Sequence, residues 1–319
     1  MADGRLFLLT GGTGTIGGAL ARRLIAGGGR VRILTLPGDL KAPEFEGMEG
    51  IELRYGDIAD PEAVNGICEG VTTVVHLAAV VLSDDDLVFD RVNVNGTRYL
   101  LTDARNCGVN HFVHISSASV TYRKMTPYSR SKRIAERYVR DAAVSWTIIR
   151  PTLVYGEEGG MEFDRFVDYL ASWPVVPFIG SGKALKRPVY VGDLVDGITR
   201  VALLEHGSGK IYNLSGGSSI SMVDFARLCL TLLGKEDKII IHVPVLLCRV
   251  IAALMQRWMK KPLLRWNMIA GVIQNANLDP QEAVTDLGYV PAPVEKKLGE
   301  CFPGKRRSSI SLHRRCFQA

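Results

Sequence analysis

The chain has 319 residues, 47% of them hydrophobic and 23% charged, an ordinary soluble composition with enough apolar material to bury a large core in one big or two intimately joined domains. The net charge of +6 is partly local, because Lys296, Lys297, Lys305, Arg306, Arg307, Arg314 and Arg315 crowd the last segment; the body is nearer neutral and no nucleic-acid partner is expected. Cys68, Cys107, Cys229, Cys248, Cys301 and Cys316 are scattered without CxxC or Cys/His ligand spacing, which fits reduced thiols in a cytoplasmic protein and implies no metal site.

A buried strand, Arg5 to Thr10, starts within a few residues of the N-terminus, leaving no room there for a signal peptide. It runs directly into Gly11-Gly12-Thr13-Gly14-Thr15-Ile16-Gly17-Gly18 and then a helical pattern. A strand, a glycine turn and a helix open a βαβ unit that can seat a pyrophosphate on the free N–H groups at the helix start. Gly11, Thr13, Gly14, Thr15, Ile16 and Gly17 are therefore candidate cofactor-binding residues. Their spacing is one residue wider at the first gap than the dinucleotide fingerprint G-x-G-x-x-G.

A second strand, Arg30 to Leu36, precedes a Pro37-Gly38-Asp39 turn. Its end carries Thr35 and Leu36, neither the carboxylate that binds an NAD ribose nor a basic residue for NADP. The missing repulsion tilts the expectation to NADP(H), with Arg32 or Lys41 as phosphate partners. After a third strand, Ile51 to Tyr55, Asp57 and Ile58 fall at a carboxyl end where adenine can be bound, while Asp60 before Pro61 reads as a helix cap. The fourth strand, Thr73 to Val80, includes the small or apolar Leu77, Ala78 and Ala79, which permit close approach of a flat ligand; His76 reads as a hydrogen-bonded core histidine.

Asp90 to Thr97 contains Asn93-Val94-Asn95-Gly96, poor interior helix residues that something other than helix stability must favour. The next strand, His111 to Ile115, ends at Ser116-Ser117, and Pro127 opens a helix on which Tyr128 and Lys132 share a face. An ammonium beside a phenol favours the phenolate and makes it a usable acid–base at neutral pH. Taken alone, Tyr-x-x-x-Lys is a common surface pair; after a glycine-rich βα start and a strand ending in Ser-Ser it reads as catalytic.

These residues resemble the short-chain dehydrogenase/reductase family in its extended branch, which includes sugar-nucleotide epimerases and dehydratases, hydroxysteroid dehydrogenases and flavonol-type reductases. The family motif T-G-x-x-G-x-x-G is met by Thr10 to Gly17, which accounts for the wider gap. The resemblance continues through Gly56-Asp57-Ile58, His76 to Ala79, Asn93 to Thr97, Ile115 to Ser117, Tyr128 to Lys132, Arg150 to Gly156 and Pro188 to Leu194, and is vaguer beyond about residue 220. It implies that Ser117 bonds the substrate oxygen, with Ser116 as an alternative, that Tyr128 moves its proton, and that Lys132 binds the nicotinamide ribose. It also implies that Asn93 helps hold the cofactor or a relay water, and that Ser116, Pro151 and Val154 line the cofactor.

The implied fold is α/β: a doubly wound parallel Rossmann sheet over residues 1–156, to which 188–205 returns, and a smaller, discontinuous C-terminal substrate lobe over 157–300. Residues 301–319 read as a disordered basic tail. The stretch Arg150 to Gly156 lacks the asparagine that sugar-nucleotide members tend to carry. With an apolar wall expected from Leu170, Trp173, Val176, Phe178 and Ile179, a lipophilic or aromatic small-molecule substrate is favoured over a sugar nucleotide. Ile239 to Met255, interrupted by His242, Pro244 and Arg249, falls short of the ~20 apolar residues of a spanning helix but can lie on a membrane or line a greasy pocket. The branch also implies a homodimer. Another reading, from resemblance to the respiratory complex I accessory subunit, is an NADPH-holding module without turnover.

Overall fold

The computed structural model describes residues 4–156, 160–204, 206–259 and 266–302. The basic tail expected over 301–319 lies, from residue 303 on, outside the described residues. In chain order the elements are β1 (Leu6–Thr10), α1 (Thr15–Ala26), β2 (Arg30–Thr35), β3 (Ile51–Tyr55), α2 (Pro61–Val64), β4 (Thr73–His76), α3 (Asp86–Phe89), α4 (Thr97–Asn106), β5 (His111–Ile115), α5 (Pro127–Arg140) and β6 (Trp146–Pro151). There follow β7 (Val154–Tyr155), α6 (Met161–Ser172), β8 (Val175–Ile179), β9 (Leu185–Lys186), β10 (Val189–Tyr190), α7 (Val191–Ala202), β11 (Ile211–Leu214), β12 (Ile220–Ser221) and α8 (Met222–Leu232). The last are β13 (Ile239–Val243), α9 (Val245–Trp258), α10 (Trp266–Ile273), α11 (Gln281–Leu287) and α12 (Val294–Lys297).

Seven strands form one parallel sheet in the order β11-β6-β5-β4-β1-β2-β3. The chain winds outward from β1 in both directions, so the crevice between β1 and β4 is the topological switch point at which such sheets bind ligands. Because helices cover both faces, the central strands are apolar on both sides: every residue of β1 and β5 is buried. Leu8, Leu34, Val74, Leu100, Phe112 and Ile148 belong to one core cluster beneath the helices.

The fourth strand ends at His76 rather than continuing to Val80 as its apolar run suggests. Its backbone leaves the ladder for side-chain partners: the Ala78 N–H donates to Thr10 Oγ1 (3.2 Å) and the Val80 N–H to Asn93 Oδ1 (2.8 Å). The expected cap on α2 is present, the Asp60 carboxylate accepting from the Glu62 N–H at 3.1 Å.

The chain divides into two compact units. The first comprises 1–152, 191–215 and 278–291, and holds the seven-stranded sheet. Its last segment is tied in by buried Tyr289, whose hydroxyl donates to the Ser215 carbonyl oxygen at 3.2 Å, and by Lys210 Nζ to Asp286 Oδ2 at 2.5 Å. Among the described residues the second unit comprises 153–156, 160–190, 216–259, 266–277 and 292–302, with three two-stranded sheets, β7–β10, β9–β12 and β8–β13. Its core gathers Tyr155, Phe163, Leu170, Val176, Phe178 and Phe225. The apolar wall expected for a substrate is thereby corrected: Leu170, Val176 and Phe178 are spent on this core, and Trp173 is exposed.

Candidate active site

The glycine turn between β1 and α1 is dictated by close approach. Gly11 has φ +69°, and a Cβ on it would meet the Ala78 backbone nitrogen at 3.0 Å; a Cβ on Gly17 would stand 2.2 Å from the Gly11 carbonyl oxygen. Gly14 is the N-cap of α1, and no acid stands in the first turn, so the helix N-terminus offers its N–H groups and dipole to an anion. Thr13, Thr15, Ile16 and Gly17 stand around this turn. This cradle, which no side chain larger than glycine could occupy at Gly17, fits a dinucleotide pyrophosphate.

One carboxylate at this edge escaped the sequence reading. Asp39 Oδ2 accepts from both Thr13 Oγ1 (2.6 Å) and Thr35 Oγ1 (2.5 Å), and its Oδ1 accepts from the Lys41 N–H (3.0 Å). Burial pushes the Asp39 carboxyl up, but the two hydroxyls and the amide outweigh it and hold it below the usual carboxylate range. Arg32 points elsewhere, donating to Glu52 and to the carbonyls of Ile67 and Glu69. At the end of β3, Asp57 bonds the Ala59 N–H at 2.9 Å, and Ile58 packs into the core.

The unusual Asp90–Gly96 stretch is a π-helical segment, continuous with α3 and α4. It aims the Asn93 amide at three protein partners: Oδ1 accepts from the Val80 N–H (2.8 Å), and Nδ2 donates to the Val80 carbonyl (2.9 Å) and to Ser131 Oγ (3.0 Å). Asn93 thus fastens the loop of Leu77, Ala78 and Ala79 to α5. Gly96 passes close to Ile58, where a Cβ would sit 3.1 Å from that side chain.

Helix α5 starts in a full capping box between Thr126 and Ser129 with Pro127 at its first turn, which fixes Tyr128 at its entrance. Tyr128 is half-buried against Phe89, with ring centroids 6.5 Å apart. One turn on, Lys132 is only 1% exposed; burial pushes its ammonium down to about 8, while Glu136 favours the charged form. Glu136 is itself held by Arg150 in a two-pronged pair (2.8 and 2.6 Å) and accepts from Ser116 Oγ at 2.6 Å. Ser116 is buried in this network, whereas Ser117 is half-buried and caps a short 3-10 turn, accepting from the Ser119 N–H (3.1 Å). The Ser119 hydroxyl lies 2.9 Å from that of Ser117, a second hydroxyl at the site that the Ser-x-Ser spacing signals.

Two buried histidines, His76 and His114, feel the charge of Lys132. His76 Nδ1 is 2.7 Å from Thr10 Oγ1 and Nε2 is 2.9 Å from Thr97 Oγ1. Because Thr97 donates to the Asn93 carbonyl (2.7 Å), it must accept from Nε2–H, leaving Nδ1 to accept from Thr10. Burial, then the charge of Lys132, pushes His76 down to about 3, and His114, its ring centroid 5.3 Å away, is likewise held well below its ordinary value. Both rings are therefore neutral and add no second positive charge near the lysine. Pro151 ends β6 and is buried; Val154 lies on β7, in the second unit.

The sequence profile of the NAD dependent epimerase/dehydratase family matches residues 7–215. The chain belongs to that family. Among curated relatives, a 3 beta-hydroxysteroid dehydrogenase/Delta 5-->4-isomerase of Mycobacterium tuberculosis is 27% identical over 93% of this chain and 89% of its own length. An NADH dehydrogenase 1 alpha subcomplex subunit 9 of Dictyostelium discoideum is 24% identical over 78% of this chain and 69% of its own. Among solved structures, a dTDP-glucose 4,6-dehydratase from Streptomyces venezuelae with NAD bound superposes with a TM-score of 0.75 at 24% identity, covering 93% of this chain and 95% of that one. Family members of the epimerase/dehydratase type are built on this same extended short-chain dehydrogenase/reductase sheet, and the resemblance drawn from the motifs holds at the level of family and fold.

Among the described residues no group of three or more His, Cys, Asp or Glu could hold a metal ion. Among the described residues Cys68, Cys107, Cys229, Cys248 and Cys301 form no disulfide.

Proposed function

We propose that the chain is an NAD-dependent oxidoreductase acting on an alcohol or carbonyl carbon. The observation that carries this reading is Lys132, almost wholly buried one turn beyond Tyr128 and flanked by neutral histidines, a placement that a surface ion pair would not need. When bound, the nicotinamide gives or takes the hydride. Tyr128 gives or takes the proton of the substrate oxygen, its phenolate favoured by the Lys132 ammonium; Ser117 bonds the same oxygen, and Lys132 also holds the nicotinamide ribose. Gly11, Thr13, Gly14, Thr15, Ile16 and Gly17 cradle the pyrophosphate, Asp57 and Ile58 take the adenine, and Leu77 to Ala79 with Pro151 line the flat rings. Ser116 and Asn93 act at one remove, since their polar groups hold Glu136, Val80 and Ser131.

Tyr128→Phe is expected to lower turnover by about 10²–10⁴-fold while NAD(H) affinity stays within about threefold. Wild-type turnover in that variant would remove Tyr128 from its role. If the protein instead copurifies with a nicotinamide cofactor that no alcohol or carbonyl substrate oxidises or reduces, it is a cofactor-holding module.

Between NAD and NADP(H) this reading favours NAD, because an anionic Asp39 bonded to Thr35 would repel a 2′-phosphate brought against it. A lipophilic or aromatic substrate is supported by the hydroxysteroid dehydrogenase relative that spans nearly the whole chain and by the absence of asparagine over Arg150 to Gly156. Sterol-like ketones and alcohols are therefore expected to raise the melting temperature in the presence of NAD, and UDP- or dTDP-sugars are not. A homodimer and a cytoplasmic location complete this reading, the first checked by light scattering.

A further inference from the structure

Helix α9 of the second unit is built inside out. Its inward arc is small: Cys248 and Ala252 pack with Ile269 of α10, and Ile179, Val243 and Ile273 close round them. The large apolar residues stand on the opposite arc. Leu246, Leu247, Val250, Ile251, Leu254 and Trp258 are all exposed, Leu246 at 72%, Leu254 at 56% and Trp258 at 82%. At about 100° per residue these positions fall on one continuous face. Single exposed leucines are ordinary on protein surfaces; a whole apolar helix face is not. Ile239 and Ile241, on the strand that feeds α9 through Pro244, are exposed as well.

Charge selects the occupant of this face. Between Asp237 and Asp279 the sequence contains no aspartate or glutamate, while Arg249 and Arg257 lie on α9 and Lys260, Lys261 and Arg265 follow it. Arg257 is exposed on the same outward arc as Val250 and Leu254. A second copy of the chain would bring like charge against like. An anionic lipid surface is complementary to both the apolar and the basic character. The helix has 14 residues, and no helix among the described residues is long and apolar enough to cross a membrane.

We propose that the outward face of α9 is a membrane-docking surface that lies flat in the interface of an anionic bilayer. Leu246, Val250, Ile251 and Leu254 enter the acyl boundary, Trp258 sits at headgroup depth, and Arg257 meets lipid phosphate. This inference stands apart from the catalytic reading, because its test reads partition and not turnover.

The full-length chain is sedimented with vesicles of phosphatidylcholine alone and with vesicles holding roughly 30% phosphatidylglycerol. Wild type is expected to partition onto the anionic vesicles at least about fivefold better, the advantage shrinking as salt rises. Val250→Glu with Leu254→Glu is expected to lower that partition at least about tenfold at an unchanged melting temperature, and Trp258→Ala to lower it less. Trp258→Ala decides the matter if the charged pair does not fold. The proposal is overturned if wild type stays in the supernatant, if the outward variants bind like wild type, or if the wild type is a dimer that Leu254→Glu splits while neither form binds vesicles.

Discussion

On the proposed reading, Asp39 favours NAD over NADP, two cofactors that differ by one phosphate. Held ionised by Thr13, Thr35 and the Lys41 amide, it follows the turn after β2 and bonds back to the last residue of that strand, at whose end NAD-selecting folds place a carboxylate for the ribose hydroxyl. A 2′-phosphate there would meet a like charge that cannot move away without breaking two hydroxyl bonds. Asp39→Ser is expected to shift the ratio of NADP to NAD affinity by about 10–100-fold toward NADP, roughly 1.4–2.8 kcal/mol. Fluorescence titration of both cofactors reads it; an unchanged ratio, or a wild type that already prefers NADP, removes Asp39 from the choice. The residue was invisible in the sequence because strand periodicity stops at Thr35 and Leu36. Only the fold of the Pro37-Gly38 turn brings a side chain four positions later back against Thr35. Gly11, Gly14 and Gly17 were readable for the opposite reason: steric demands on adjacent backbone leave a local mark that spacing records.

At the scale of elements, the π-helical segment between α3 and α4 converts a weak helix sequence into a three-way brace. Asn93 joins the loop after β4 to the helix carrying Tyr128 and Lys132 through two bonds to Val80 and one to Ser131. Asn93→Ala leaves the Val80 N–H and carbonyl without that partner and is expected to cost about 2–3 kcal/mol of stability. The same variant should weaken NAD binding several-fold, because Leu77 to Ala79 are freed from α5; calorimetry and a binding titration check both. A wild-type melting temperature would sink the brace. That Asn-Val-Asn-Gly is ill-suited to an ordinary helix could be seen in the residues themselves. That the mismatch is met by a wider turn could not, since it depends on partners 13 and 38 positions away. Ser116 shows the same limit: the motif points to Ser117 with Ser116 as an alternative, and the bond of Ser116 to buried Glu136, itself paired with Arg150, is not written in the spacing.

For the whole molecule, acid is the natural stress. His76 is pushed down to about 3 and His111 to about 4, chiefly by burial, and His114 is held well below its ordinary value. All three lie in β4 and β5 of the first unit. Below about pH 6.5 the unfolded chain binds protons that the native one refuses, so stability is fully present above that value and is lost as pH falls toward about 4. Urea midpoints measured from about pH 7 down to about pH 5 should drop steeply, each histidine contributing up to about 1.4 kcal/mol per pH unit. His114→Leu, which removes a buried ring with neither nitrogen bonded to protein, should flatten the curve and raise stability at neutral pH by about 1–2 kcal/mol. A pH-independent midpoint would contradict this account. The parallel sheet itself followed from alternating strands and helices, but the inclusion of 278–291 in the first unit did not, because Tyr289 finds Ser215 across a long stretch of unrelated chain. That return has a consequence for synthesis. On the ribosome, β1 to β6 emerge first, yet β11 and the Tyr289 brace come only after most of the chain has been made. Until then β6 has a bare edge, open to any other extended segment, and the nascent sheet is at its most vulnerable to mispairing just before its outermost strand arrives.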